Sequence, residues 1–169
     1  MSLLSKIFSS SSRETKLAKQ LLDDTIHYIT GTKQSLFTNA YLKKYENSKE
    51  LEYWAMLVAL SAADIGAIMN FGIDSTLRIK LLATMIKEFE QINPHIRQNL
   101  MYNQAYVKQH TNSNTKPNGE KPLTITEANG AWILYSLDQE NFSLSSQESR
   151  IAAKEVGMWI FDKYVKYWD

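Results

Sequence analysis

Hydrophobic residues recur at helical spacing over most of this chain. The longest apolar stretch is 51–71, LEYWAMLVALSAADIGAIMNF, in which Glu52 and Asp64 are the two charged residues. A segment of this length forms about 30 Å of helix, and a helix that is apolar on nearly all sides is normally buried in a core. We therefore expect this helix to lie at the centre of the fold.

Six further segments show a helical period, with polar residues, glycine or proline between them. The predicted helices cover residues 13–30, 34–46, 75–92, 94–110, 125–138 and 146–168. The sequence thus predicts an all-α fold, a single-domain bundle of about seven helices over residues 1–169 with no sheet. Residues 1–12 are expected to include a frayed N-terminal segment. Residues 111–123 are polar and contain glycine and proline, so they are expected to form a flexible loop, either a plain connection or a functional one.

Two of the predicted helix starts match the capping-box pattern. In this pattern a Ser or Thr side chain and a Glu side chain three residues later bind each other's backbone N–H groups. Thr124 with Glu127 fits it, and so does Ser145 with Glu148.

Asp64 is the unusual residue of the long apolar helix. On a helical wheel it lies among bulky apolar side chains, where a carboxylate without a partner would cost several kcal/mol. The next helix follows after a very short turn, so the two helices should be antiparallel neighbours. Arg78 lies about 6 Å along the axis from the position that faces Asp64. We predict a structural Asp64–Arg78 pair, with a tyrosine or tryptophan donor as the competing partner.

Two surfaces are candidates for binding a partner. Ile151, Met158 and Val165 are spaced by seven and bordered by charged residues, as in a helix–helix contact. The alternative is that this strip inserts between two layers of the protein's own bundle. Tyr102 and Tyr106 lie beside asparagines, a combination typical of adaptable binding surfaces and also of the wet edge of a core.

Composition narrows the class of partner. The chain has 19 basic and 18 acidic residues and few arginines, so nothing favours nucleic acid. It has no cysteine, which excludes disulfides and cysteine-ligated metals and fits a cytoplasmic location. A membrane span over 51–71 is disfavoured because Asp64 would lie near the middle of the bilayer.

No catalytic or cofactor motif is present. His27, His95 and His110 fall on different segments and match no zinc signature. Asp24 and His27 have the spacing of a di-iron helix motif, but no second copy exists, so we interpret them as a solvated face. We expect no metal and no cofactor, and assign no catalytic residue.

These observations favour a small cytoplasmic protein-binding module, such as an adaptor, a regulator or an immunity-type protein. Its partner would be another protein, and a homo-oligomer remains open. The alternative is a helical enzyme or a small-ligand-binding protein with a pocket near Asp64, since catalytic groups can converge from distant positions. No particular residue supports the hypothesis of an immunity-type protein over the other two.

Overall fold

Helices make up the regular structure of the described part of the chain, residues 12–112 and 121–169 of a computed structural model. Its α-helices are α1 (Arg13–Thr32), α2 (Lys49–Phe71), α3 (Thr76–Glu90), α4 (Ile96–Thr111), α5 (Ile125–Leu137) and α6 (Gln147–Val165). Two 3₁₀ helices, η1 (Lys33–Thr38) and η2 (Leu42–Tyr45), connect α1 to α2. No strand occurs in either described range, so the predicted all-α class is confirmed. Most of the predicted frayed segment 1–12 and of the predicted loop 111–123 lies outside the described residues.

The described residues form six α-helices rather than about seven, because 34–46 is not one α-helix. Short polar side chains in this segment bind the nearby backbone. Ser35 Oγ donates to the carbonyl of Thr32 over 2.7 Å, and Thr38 Oγ1 donates to that of Ser35 over 3.0 Å. Asn39 is extended (φ −77°, ψ 121°) and separates the two 3₁₀ turns. Such local hydrogen bonds offer the backbone an alternative to the α-helical ladder.

One of the two predicted capping boxes forms. At the start of α5, Thr124 Oγ1 accepts the N–H of Glu127, and the Glu127 carboxylate accepts the N–H of Thr124. The box predicted for Ser145 does not form, because the Ser145 hydroxyl lies 2.7 Å from that of Ser143. The neighbouring Ser146 caps α6 instead.

The long apolar helix α2 lies at the centre of the fold and contacts each of the other five α-helices. Most of its bulky side chains are buried, and so is the small-residue face formed by Ala55, Ala59, Ala63, Gly66 and Ala67. The small face is covered by close approach of a helix: a Cβ added at Gly66 would lie 2.3 Å from the carbonyl oxygen of Val165. Glycine is therefore required where the end of α6 meets α2.

The α5–α6 pair is packed even more closely. A Cβ added at Gly130 would lie 1.8 Å from the carbonyl oxygen of Ala153, and one added at Gly157 would lie 2.0 Å from that of Thr126. These contacts run in opposite directions along the two helices, so α5 and α6 are antiparallel. Together with α2 they supply most of the residues that have no contact with water.

Within the described ranges, α2 is the one helix long and apolar enough to cross a bilayer. In the structure 67% of its apolar window is buried among the other helices. A helix at the centre of a core has the same length and composition. The composition of α2 is therefore explained by its packing.

Candidate functional site

Asp64 and Arg78 form the ion pair expected from the α2–α3 hairpin. Arg78 Nε donates to Asp64 Oδ1 over 2.8 Å, and Nη2 donates to Oδ2 over 2.6 Å. A third donor, Nη1, reaches the carbonyl of Ile73 over 3.3 Å. The side chains of Arg78 and Asp64 are 15% and 11% exposed. A two-point contact of this kind occupies both carboxylate oxygens, and Asp64 lines none of the four cavities described below.

We define the α6 strip as Ile151, Met158 and Val165. Its three residues differ in their exposure to solvent. Ile151 is 48% exposed and Met158 is 53% exposed. Val165 is half-buried and packs against the core. Ile151 and Met158 thus face solvent one heptad apart, whereas Val165 is partly covered by the core.

A groove of about 430 Å³ begins at Ile151 and continues onto the 3₁₀ segment. Its lining residues are Asn39, Ala40, Tyr41, Glu148 and Ile151. Two hydrogen bonds fix this wall to α6: Asn39 Nδ2 donates to Glu155 Oε2 over 2.7 Å, and Ser149 Oγ donates to the Tyr41 hydroxyl over 3.1 Å. The α6 strip therefore borders a preformed depression rather than a flat helix face.

Tyr102 and Tyr106 do not form one surface. Tyr102 is 54% exposed, and its hydroxyl accepts a hydrogen bond from Gln98 Nε2 over 2.9 Å. Tyr106 points inward, with ring centroids 5.6 Å from both Trp132 and Tyr135. Burial raises the pKa of Tyr106 to about 12, so its phenol stays protonated at neutral pH.

Two smaller cavities lie beside α4. One, of about 320 Å³, is mostly apolar and is bordered by Asn103, whose Nδ2 donates to Asn129 Oδ1 over 3.2 Å. Asn103 is buried, and its Oδ1 has no hydrogen-bond partner among the described residues. The other, of about 360 Å³, is lined by Tyr53 and Trp54. Nothing in either cavity beyond these groups indicates which ligand it would accept.

The α1–α6 cavity, of about 480 Å³, is the largest of the four. It lies between α1 and the C-terminal end of the chain and is lined by Asp24, His27, Tyr28, Gly31, Thr32, Lys163, Tyr164 and Tyr167. The sequence predicts a solvated face at Asp24 and His27, and both residues are exposed. The structure adds that the aromatic residues Tyr164 and Tyr167 near the end of the chain line the same cavity. The sequence does contain one signal: Asp24 and Tyr28 are four residues apart, and so are Lys163 and Tyr167.

Within residues 12–112 and 121–169, no three His, Cys, Asp or Glu side chains are grouped so that they could hold a metal ion. No family model, curated protein or solved structure matches this chain.

Proposed function

We propose that this protein is a small cytoplasmic protein-binding module that docks an amphipathic helix of another protein on the α6 strip. The observation that carries the proposal is the exposure of Ile151 and Met158 one heptad apart on a helix whose other large apolar side chains are packed. An adaptor, a regulator or an immunity-type protein would act in this way. The location in the cytoplasm is part of the proposal and is consistent with the absence of cysteine.

The spacing of the two residues suits a helical partner. Seven residues of α-helix span about 10.5 Å, so Ile151 and Met158 lie two turns apart on the same side of α6. Each is about half exposed, so covering it would contribute roughly 1 kcal/mol. Two such side chains alone give weak binding, and the groove beside Ile151 supplies the concave site in which a partner's anchoring side chain would be buried.

The charges around the strip indicate the chemistry of the partner helix. Lys154 lies between Ile151 and Met158, and Glu148 lines the groove. Both are exposed, and neither forms an ion pair with a described residue. A partner with an acidic residue opposite Lys154 and a basic residue opposite Glu148 would match them. Such pairs fix the register and orientation of a helix–helix contact more than they add affinity.

The experiment combines site-specific cross-linking with a charge-substituted variant. A photoreactive amino acid at Met158 should trap one partner in cells that express the chain. The same group at Met101, which is 69% exposed on α4, is the control and should not trap it. The double variant I151D/M158D should bind the purified partner at least about 30-fold more weakly in calorimetry, because two central contacts become charged.

The matched control variant is I79D/M101D. Ile79 and Met101 are 53% and 69% exposed, on α3 and α4, so they resemble Ile151 and Met158 in chemistry and exposure. The partner should bind I79D/M101D with unchanged affinity. Equal weakening by both double variants would refute a role for the α6 strip. Cross-linking of the chain to a second copy of itself at Met158 would show a homo-oligomer contact and overturn the proposal of a different protein as partner.

A further inference from the structure

The α1–α6 cavity is built from two contacts between its helices. The Tyr167 hydroxyl donates to Asp24 Oδ2 over 2.7 Å. Lys163 Nζ lies 5.6 Å from the centre of the Tyr28 ring, within the range of a cation–π contact. Each contact joins a charged residue of one helix to a tyrosine on the other side of the cavity. Asp24 and Tyr28 are one turn apart on α1, Lys163 lies in the last turn of α6, and Tyr167 lies two residues beyond the end of α6.

The opposite charges at this cavity are not neutralised by each other. Asp24 and Lys163 both line it, yet neither belongs to any of the ion pairs among the described residues. His27 also borders the cavity, beside Tyr28. The rim therefore offers an exposed carboxylate and an exposed ammonium group, each in contact with a tyrosine and neither in an ion pair.

The floor of the cavity is aromatic and chemically inert. Tyr164 is buried, and its ring stacks on that of Tyr167 at 5.8 Å. The Tyr28 hydroxyl donates to the carbonyl of Trp159 over 2.9 Å, and the Tyr28 ring stacks on Trp159 at 6.3 Å. Burial raises the pKa of Tyr164 to about 12 and also raises that of Tyr167, so both phenols keep their protons. Because Tyr164 is buried and Tyr28 is already in contact with Lys163 and Trp159, the half-buried Tyr167 is the tyrosine that can offer its ring to a ligand.

We propose that the α1–α6 cavity binds a zwitterionic α-amino acid that has an aromatic side chain. Its ammonium group would bind Asp24, its carboxylate would bind Lys163 with His27 nearby, and its ring would pack on Tyr167. The ammonium nitrogen and carboxylate oxygens of an amino acid are about 3 Å apart, so with a hydrogen bond of about 2.8 Å at each end such a ligand can join an acidic and a basic group up to about 8 Å apart. A cavity of about 480 Å³ is within the usual size of small-molecule sites.

The charges exclude two simpler ligand classes. An aromatic cation would have to compete with Lys163, which already occupies the face of Tyr28, and would be repelled by it. An aromatic carboxylate without an amino group would meet the unpaired charge of Asp24. Only a ligand with both charges satisfies both rim groups, which is why we infer an amino acid rather than an acid or an amine.

The test uses L-phenylalanine as the probe and the full chain, with calorimetry and tryptophan fluorescence as readouts because Trp159 stacks on Tyr28. We expect saturable binding with a Kd in the millimolar range or tighter. 3-Phenylpropionate lacks the ammonium group and phenethylamine lacks the carboxylate. Each should bind at least about 10-fold more weakly, since each loses one charge-assisted hydrogen bond. L-Alanine, which lacks the ring, should also bind at least about 10-fold more weakly.

Matched variants locate the site. Asp24→Asn and Lys163→Met should each weaken L-phenylalanine binding at least about 10-fold. Asp23→Asn on α1 and Lys166→Met directly after α6 change exposed residues that do not line the cavity, and they should leave binding unchanged. Circular dichroism checks that each variant is folded, and Asp24→Asn alone decides the matter if Lys163→Met unfolds. No binding of L-phenylalanine, equal binding of either singly charged analogue, or equal weakening by the control variants would overturn the proposal.

Discussion

Two places in this molecule set an aspartate on one helix near a basic residue on an antiparallel neighbour, with opposite results. Between α2 and α3, Asp64 and Arg78 meet in a two-point ion pair that is mostly shielded from water. Between α1 and α6, Asp24 and Lys163 line one cavity, and each contacts a tyrosine instead. The register of the helix packing, rather than the presence of opposite charges, decides whether a pair closes.

The difference has consequences for stability and for binding. A closed, shielded pair fixes the α2–α3 hairpin, because separating it would leave a charge without a partner in a poorly solvated place. The groups of the open arrangement are in contact with water and contribute little to stability. They are therefore available to a ligand, which the closed pair is not.

The largest expected effect comes from breaking the closed pair. Arg78→Met leaves the Asp64 carboxylate without its partner next to the core, and it should lower the free energy of unfolding by about 3 kcal/mol. We place the value at the low end of the usual range because both side chains retain some exposure. Urea denaturation followed by circular dichroism measures the difference.

Two control variants sharpen this prediction. Lys163→Met, in the open arrangement, should cost less than about 1 kcal/mol. The double variant D64L/R78M removes both charges and should recover most of the stability lost in Arg78→Met, because an apolar pair of similar size can replace an ion pair. If Arg78→Met cost no more than Lys163→Met, the proposed contrast between the two regions would be wrong.

The closed pair was predictable from the sequence, and the open one was not, for a physical reason. Asp64 and Arg78 are 14 residues apart within one hairpin, so the helical rise and a short turn fix their register. Asp24 and Tyr167 are 143 residues apart, and their contact depends on how the first and last helices pack on α2. Periodicity describes each of those helices but carries no information about which helices meet.

The other differences between sequence and structure have the same origin. The apolar pattern of 34–46 indicated a helix, but local hydrogen bonds of Ser35 and Thr38 favour 3₁₀ turns. The seven-residue spacing puts the residues of the α6 strip on one side of the helix, yet only the tertiary structure shows that Val165 packs against the core while Met158 is exposed. Whether the strip binds a partner stays a prediction.

A smaller effect should follow from changing the contact that holds the end of α6 in place. Gly66→Ala puts a methyl group 2.3 Å from the carbonyl oxygen of Val165, so the backbone of α6 has to move away from α2. Overpacking of this kind usually costs about 1–3 kcal/mol, which urea denaturation would show. Because Lys163 and Tyr167 lie at the same end of α6, binding of L-phenylalanine to the α1–α6 cavity should weaken as well.

Gly31→Ala is the control for the stability measurement. A Cβ added at Gly31 meets no atom within 4 Å, so alanine should be neutral or stabilise α1 by up to about 1 kcal/mol. Equal stability of Gly66→Ala and Gly31→Ala would mean that α2 and α6 do not depend on this close approach.

The smallest effect concerns the ion pair of Lys44 with Asp138. This pair is closed, like Asp64–Arg78, but it is more exposed to water. Lys44 Nζ lies 2.8 Å from Asp138 Oδ2, with side-chain exposures of 42% and 19%. The hydrogen bond from Lys44, followed by that from Asn141, lowers the pKa of Asp138 below its ordinary value. A carboxyl group whose pKa is lower in the folded state contributes stability above its unfolded pKa, and this contribution is lost as the pH falls through the folded value.

Asp138→Asn should therefore cost up to about 1 kcal/mol at pH 7, as is usual for an exposed pair, and close to nothing at about pH 2. The measurement is the difference in urea midpoint between the two proteins across this range. Asp23→Asn, which removes an exposed carboxylate outside every ion pair of the described residues, should show no such pH dependence. The contradicting outcome is a difference in urea midpoint between Asp138→Asn and the unchanged protein that stays constant from pH 7 to about pH 2. The charge of Asp138 would then not stabilise the fold. In this respect the Lys44–Asp138 pair would resemble the open arrangement at the α1–α6 cavity.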